Sequence, residues 1–247
     1  MVFEQIPTKE TRRTLVACAL VATWWTGPSQ RRLFSSVEVR QDNYERWMNG
    51  VVRSGSKDRL LGHVRSMGHS INPFAEDDEQ IQMQVLPGHS GEYLSALHNL
   101  SSLTLRLVIV ERIREDGLHT YFSAFRETLT HLSLPGFPAA PFSAFVALVG
   151  YFPNVTTLQL EPAFTPRLDE GSVPSFSRPP RGKLIVYRVR VDNLEFYNRF
   201  ASLDLEYEEL IVASRYIFMG KTFVESVLRI SPSTIKFLKL ARGLRRE

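Results

Sequence analysis

One pattern, apolar-x-x-apolar-x-apolar, constrains this chain more than any other feature. It begins at Leu100 (with Leu103 and Leu105), Leu129 (Leu132, Leu134), Val155 (Leu158, Leu160), Leu184 (Tyr187, Val189), Tyr207 (Leu210, Val212) and Ile235 (Leu238, Leu240). Successive starts lie 29, 26, 29, 23 and 28 residues apart. The last two positions of each match are two apart, which suits a short strand turning both side chains to one face. Such a strand cannot bury its apolar face alone, so the repetition points to a stacked array. Weaker matches at Phe34, Val37 and Val39 and at Val64 and Met67 suggest that the array starts earlier.

The intervals fall within the range of leucine-rich repeats. Segments between the strands have helical spacing: residues 90–98 with Tyr93, Leu94 and Leu97; 118–127 with Leu118, Phe122 and Phe125; 142–152 with Phe142, Phe145, Val146, Leu148 and Val149; and 222–230 with Phe223, Val224, Val227 and Leu228. Pro141 and Pro153 punctuate the third of these. The fold class expected is α/β, an irregular leucine-rich-repeat-like solenoid of short parallel strands and helices. A plain alternating α/β protein would carry longer Val/Ile-rich strands and a glycine-rich phosphate turn, and this sequence has neither. The repeats are irregular because the Asn or Cys that normally follows the last leucine by three positions is absent; Phe137 and Ala163 stand there. In the middle of the array Leu132 and Leu158 should be almost fully buried, with Leu→Ala at either costing roughly 2–5 kcal/mol.

The N-terminal part has a different character. Arg12 and Arg13 precede an uncharged stretch, residues 14–27, that superficially resembles a secretory signal. Glu4 and Glu10 place acid ahead of it, and Trp24 and Trp25 occupy positions where cleavage requires small residues. A buried helix with Leu15, Val16, Ala19, Leu20 and Val21 on its apolar stripe fits better, with Gly27 and Pro28 expected to stop it. No uncharged apolar run reaches the roughly 18–20 residues needed to cross a bilayer. The sequons at Asn99 and Asn154 fall in or beside predicted strands and read as chance matches.

A search for chemistry finds little. The formal charge of +4 is too small to predict nucleic-acid binding, and the single cysteine, Cys18, excludes a disulfide framework and a cysteine-built zinc site. His63, His69, His89, His98, His119 and His131 are scattered, without H-E-x-x-H spacing or a carboxylate cluster. There is no nucleophile elbow and no phosphate-binding loop. The acidic run at residues 76–79 reads as a solvated loop, and the basic tail Lys236, Lys239, Arg242, Arg245 and Arg246 as the polar side of a terminal cap. A non-catalytic binding protein without metal or cofactor is the expectation. The Pro-rich loop at 162–182 is long for a connection, and Phe164, Phe176 and Arg178 within it are candidates for partner binding. A disordered insertion between repeats explains that loop equally well.

Residues 14–25, TLVACALVATWW, followed by Ser29-Gln30-Arg31-Arg32-Leu33-Phe34, resemble the second half of an F-box in the form found in many fungal F-box proteins. There an L-x-A-C-S-L-V-x-x-x-W helix precedes S-x-R-x-L-F, and Trp25 takes the place of the F-box tryptophan. Later pieces at 129–134, 142–149 and 152–160 are similar to the leucine-rich-repeat-like regions of those proteins. The opening L-P-x-E motif and first helix are absent, with only residues 2–6 in their place. The resemblance therefore implies either a partial adaptor-binding surface or a gene model truncated at its N-terminus.

The resemblance implies a partial F-box at 1–36 and a leucine-rich-repeat-like domain at 37–247. It further implies binding to the Skp-type adaptor of a cullin–RING ubiquitin ligase, with Leu15, Val16, Leu20, Val21 and Trp25 as adaptor contacts, and recruitment of an unknown protein substrate by the repeats. The alternative is a leucine-rich-repeat-like scaffold with no ubiquitin role, its first helix serving as a cap. No nucleic acid or membrane partner is expected, and cytoplasm and nucleus both fit.

Overall fold

The computed structural model describes residues 23–40, 43–54, 57–70, 94–106, 115–137, 142–162, 176, 178–187, 194–203, 205–214, 225, 229–230 and 233–242. Its organising element is one open sheet of eight parallel strands arranged in the order of the chain. They are β1 (Ser36–Arg40), β2 (Ser66–Ser70), β3 (Ser102–Arg106), β4 (His131–Phe137), β5 (Thr157–Pro162), β6 (Arg181–Tyr187), β7 (Glu206–Ser214) and β8 (Phe237–Arg242). Six α-helices accompany them among the described residues: α1 (Thr23–Phe34), α2 (Tyr44–Trp47), α3 (Lys57–Leu61), α4 (Glu115–Phe122), α5 (Phe142–Tyr151) and α6 (Leu194–Ala201). A π-helical turn, Met48–Val52, extends α2, and a 3-10 turn, Ser123–Phe125, extends α4. The α/β class holds, and the two weak N-terminal matches are strands β1 and β2.

The register explains why the apolar pattern recurs. Val37, Met67, Leu103, Leu132, Leu158, Leu184, Leu210 and Leu238 stand side by side across all eight strands. Two residues on, Val39, His69 and Leu105 form a second row, continued by Leu134, Leu160, Val186, Val212 and Leu240. Both rows face the helical layer, because alternate residues of a strand share a face. Leu132 is 1% exposed and Leu158 is fully buried, as their central position requires.

The sequence pattern misplaced one strand. Anchored on Leu184, Tyr187 and Val189, it set the β6 row three residues late; the residues aligned with Leu158 and Leu160 are Leu184 and Val186. From Leu158 to Leu184 and from Leu184 to Leu210 are then 26 residues each (158 to 184, 184 to 210), in place of starts 29 and 23 apart.

Neighbouring units are joined ahead of each strand. The Ser35 carbonyl accepts the N–H groups of Arg65 and Ser66; that of Arg65 accepts Ser101 and Ser102; Ser101 accepts Thr130 and His131; Thr130 accepts Thr156 and Thr157. Side chains repeat the link: Asn99 Nδ2 donates to the Gly62 carbonyl, Thr128 Oγ1 to Leu100, Asn154 Nδ2 to Glu127 and Thr234 Oγ1 to Tyr207. A polar residue four positions before the row leucine thus ties each of these units to the one before it. The amide nitrogens of both sequons are engaged in these bonds.

In the described part of 90–98 Leu94 is helical, and tight turns follow it, Leu97 N–H to Leu94 and Leu100 N–H to Leu97, with Leu94 and Leu97 buried. The helices differ from expectation in two places. Helix α1 runs through Gly27 and Pro28 rather than ending there. Proline has helical φ, and both residues are exposed, so water can replace the one hydrogen bond lost. Helix α6 was not anticipated, although Phe196, Tyr197 and Phe200 give it an apolar stripe. Segment 222–230 lies mostly outside the described residues.

Aromatic rings link the helices of adjacent units. Phe122 and Phe125 meet Phe152 at 5.7 and 6.1 Å, and Phe145 meets Phe196 at 5.2 Å and Phe200 at 5.6 Å. The array is unevenly covered at its end. Leu238 is 44% exposed, so Leu238→Ala should cost less than about 1 kcal/mol. Hydrogen exchange on that variant should show faster exchange only at residues 235–242. Uniform loss of protection across 100–160 would mean a single cooperative core instead.

Candidate interaction surface

The residues between the two apolar rows face away from the helices and form the only sheet face open to a partner's approach among the described elements. Its central row runs Glu38, Gly68, Thr104, Ser133, Gln159, Ile185, Ile211 and Lys239 without interruption. The row changes from acidic through small and polar to apolar and finally basic. Two residues earlier, on the same face, lie Ser36, Ser66, Ser102, His131, Thr157 and Lys183.

Charge is concentrated at the β1 end. Arg40 Nη2 donates to Glu38 Oε2 at 2.6 Å, and this bond, aided by the nearby Arg106 guanidinium, holds the Glu38 carboxyl below its usual range. Gly68 gives that carboxylate arm room: a Cβ there would sit 3.4 Å from Glu38 Cγ. At β6 and β7, Lys183 Nζ reaches Glu209 Oε1 at 3.1 Å. Glu161, Ile211 and Ala213 are buried although Ile211 and Ala213 alternate with the core residues Leu210 and Val212. The accessible polar part of this face therefore lies over β1–β5. Hydroxyls, amides and guanidinium groups at strand spacing can hydrogen-bond to an apposed chain.

Catalytic geometry is not assembled here. Thr130 Oγ1 lies 2.8 Å from His131 Nδ1, but the same hydroxyl is 3.1 Å from the Ser101 carbonyl, and among the described residues no carboxylate is bonded to this imidazole. His119 contacts Tyr151 through Nδ1 at 3.3 Å, edge-on to its ring. Among the described residues no three His, Cys, Asp or Glu side chains gather as a metal site would require. Nor is any helix there long and apolar enough to cross a membrane.

His69 stands in an apolar row, between Val39 and Leu105, 6% exposed and with Nδ1 unpartnered. Burial pushes its pKa down to about 4. The unfolded chain then binds the proton more readily. The resulting stability is full above about pH 6.5 and is lost as pH falls toward 4, by up to about 3 kcal/mol. His69→Leu should flatten that part of the pH dependence and raise stability at pH 7 by about 1–2 kcal/mol. Urea unfolding at pH 7, 5.5 and 4.5 measures both; an unchanged slope would place the imidazole in water.

Of the residues singled out from sequence, Leu15, Val16, Leu20, Val21 and Phe164 lie outside the described residues, as does the acidic run. The backbone of Trp25 lies in α1; its side chain is outside the description. Phe176 is partly buried, packed against the core, where its ring would lie 3.0 Å from a Cβ at Gly150 of α5. Arg178 is exposed. The open-face residues were not singled out in advance, because positions between the rows carry no period of their own. A scan against known protein families finds no match, and a search of the curated proteins finds none.

Proposed function

We propose that this chain is a non-catalytic protein-interaction module that binds a protein partner across the polar open face of β1–β5. The observation that carries this reading is the accessible polar row Glu38, Thr104, Ser133 and Gln159, set at strand spacing within β1–β5. Within that reading the chain is a substrate-recognition subunit of a cullin–RING ubiquitin ligase, acting in cytoplasm or nucleus. The resemblance of residues 14–34 to an F-box supports this, with α1 as its last helix and Ser29, Arg31, Arg32, Leu33 and Phe34 leading directly into β1. Co-purification with a Skp-type adaptor tests it. Thr104→Arg together with Gln159→Arg should abolish substrate capture and leave adaptor binding unchanged, whereas loss of neither would remove the open face from the mechanism.

One observation favours the scaffold reading. Helix α1 packs on β1 and α3, the position a terminal cap needs to cover the first unit. In that case no adaptor co-purifies, and Trp25→Ala lowers stability by about 3–5 kcal/mol without touching any ligase association.

A further inference from the structure

We propose that the outer edge of β8 is a second docking site, taking an extended acidic segment of a partner protein as a ninth strand. This site lies at the far end of the sheet from the β1–β5 surface and does not rest on the reading above. Strand β8 is last in the sheet and pairs only with β7, so its outer backbone groups are without strand partners among the described residues. The exposed large hydrophobic side chains of the described residues are all in this strand: Phe237 (69%), Leu238 (44%) and Leu240 (58%). Leu238 and Leu240 extend the two core rows to the edge, where the next strand's apolar residues would cover them.

Charge identifies the kind of strand that fits. On its inner side β8 is matched by an acidic neighbour, β7, whose Glu208 accepts an ion pair from Lys236 Nζ at 3.1 Å. Lys239 instead stands opposite Ile211, and among the described residues no carboxylate is within ion-pair distance of it. An incoming segment that alternates apolar residues with Glu or Asp would complete both the rows and the charges. Strand addition to a sheet edge draws its affinity from main-chain bonds and its specificity from alternate side chains. A second copy of β8 fits poorly, because Phe237–Arg242 holds no carboxylate to set beside Lys239.

The probe is a fluorescein-labelled, end-blocked ten-residue peptide, STVELEVELS, whose three glutamates alternate with apolar residues so that one can stand beside Lys239 while its neighbours cover Leu238 and Leu240. Fluorescence polarisation against the full chain should give saturable binding that weakens several-fold between 50 and 300 mM salt. Lys239→Glu and, separately, Leu240→Ser should each weaken it at least ten-fold with unchanged urea midpoints. A peptide with its three glutamates replaced by lysine should bind the Lys239→Glu variant better than the unaltered protein. Binding indifferent to both substitutions, or no binding at all, overturns the proposal. Concentration-dependent self-association that the peptide does not disperse would assign the edge to a second copy, and equal competition by a ten-residue oligothymidine would reduce it to a general anion surface; either result also overturns it.

Discussion

Phe145→Ala is expected to cost about 3–5 kcal/mol, a large part of the roughly 5–15 kcal/mol that stabilises a domain. Phe145 is fully buried on α5 and meets Phe142 on its own helix and Phe196 and Phe200 on α6. Removing the ring takes its apolar surface from the core and opens a void between two units whose other faces are fixed by the strand register. Collapse into that void is hindered, because Leu158, Leu184 and Leu210 hold the sheet at its spacing. Urea denaturation should show a lowered midpoint with little change in slope. A loss under about 1 kcal/mol would mean that α5 and α6 are not packed together as described.

Gly182→Ala should be nearly as damaging, for a different reason. Gly182 has φ +94°, and a Cβ built on it would lie 2.4 Å from the Thr156 carbonyl oxygen. That oxygen accepts the Lys183 N–H at 2.8 Å, the link between β5 and β6. Left-handed strain and displacement of a backbone carbonyl each cost about 1–3 kcal/mol, together about 2–6. Gly50→Ala is the control. Gly50 lies in the helical turn after α2 with nothing within 4 Å of a new Cβ, so alanine there should stabilise by about 0.5–1 kcal/mol. Thermal unfolding of the pair should therefore move in opposite directions; a shared sign would locate the Gly182 effect in the unfolded chain.

Strand β6 was hard to read in the sequence. Leu184, Tyr187 and Val189 fit the spacing, but Arg181 holds the first position of the pattern, so Leu184 is its second apolar residue and Val186 its third, both fully buried. Burial of the row leucines was legible because each must face the core of its neighbours. His69 weakened the signal for strand β2, since the third apolar position of its pattern holds an imidazole. The inter-unit bonds of Asn99, Thr128 and Asn154 leave no mark in the apolar pattern, because their polar residues stand before the leucines rather than after them. The open face was the least legible part: a residue that contacts only solvent or a partner leaves no periodic trace.

The strand order has a mechanical consequence. Every strand is hydrogen-bonded only to the strands before and after it in the chain, so tension applied to the two ends loads those bonds one line at a time, as in a zipper. The protein should yield in small successive steps rather than in one rupture. A step that frees the 26 residues from Leu158 to Leu184 would release about 9 nm of extended chain. A protein built this way gives way gradually when pulled, and the units not yet peeled keep their shape.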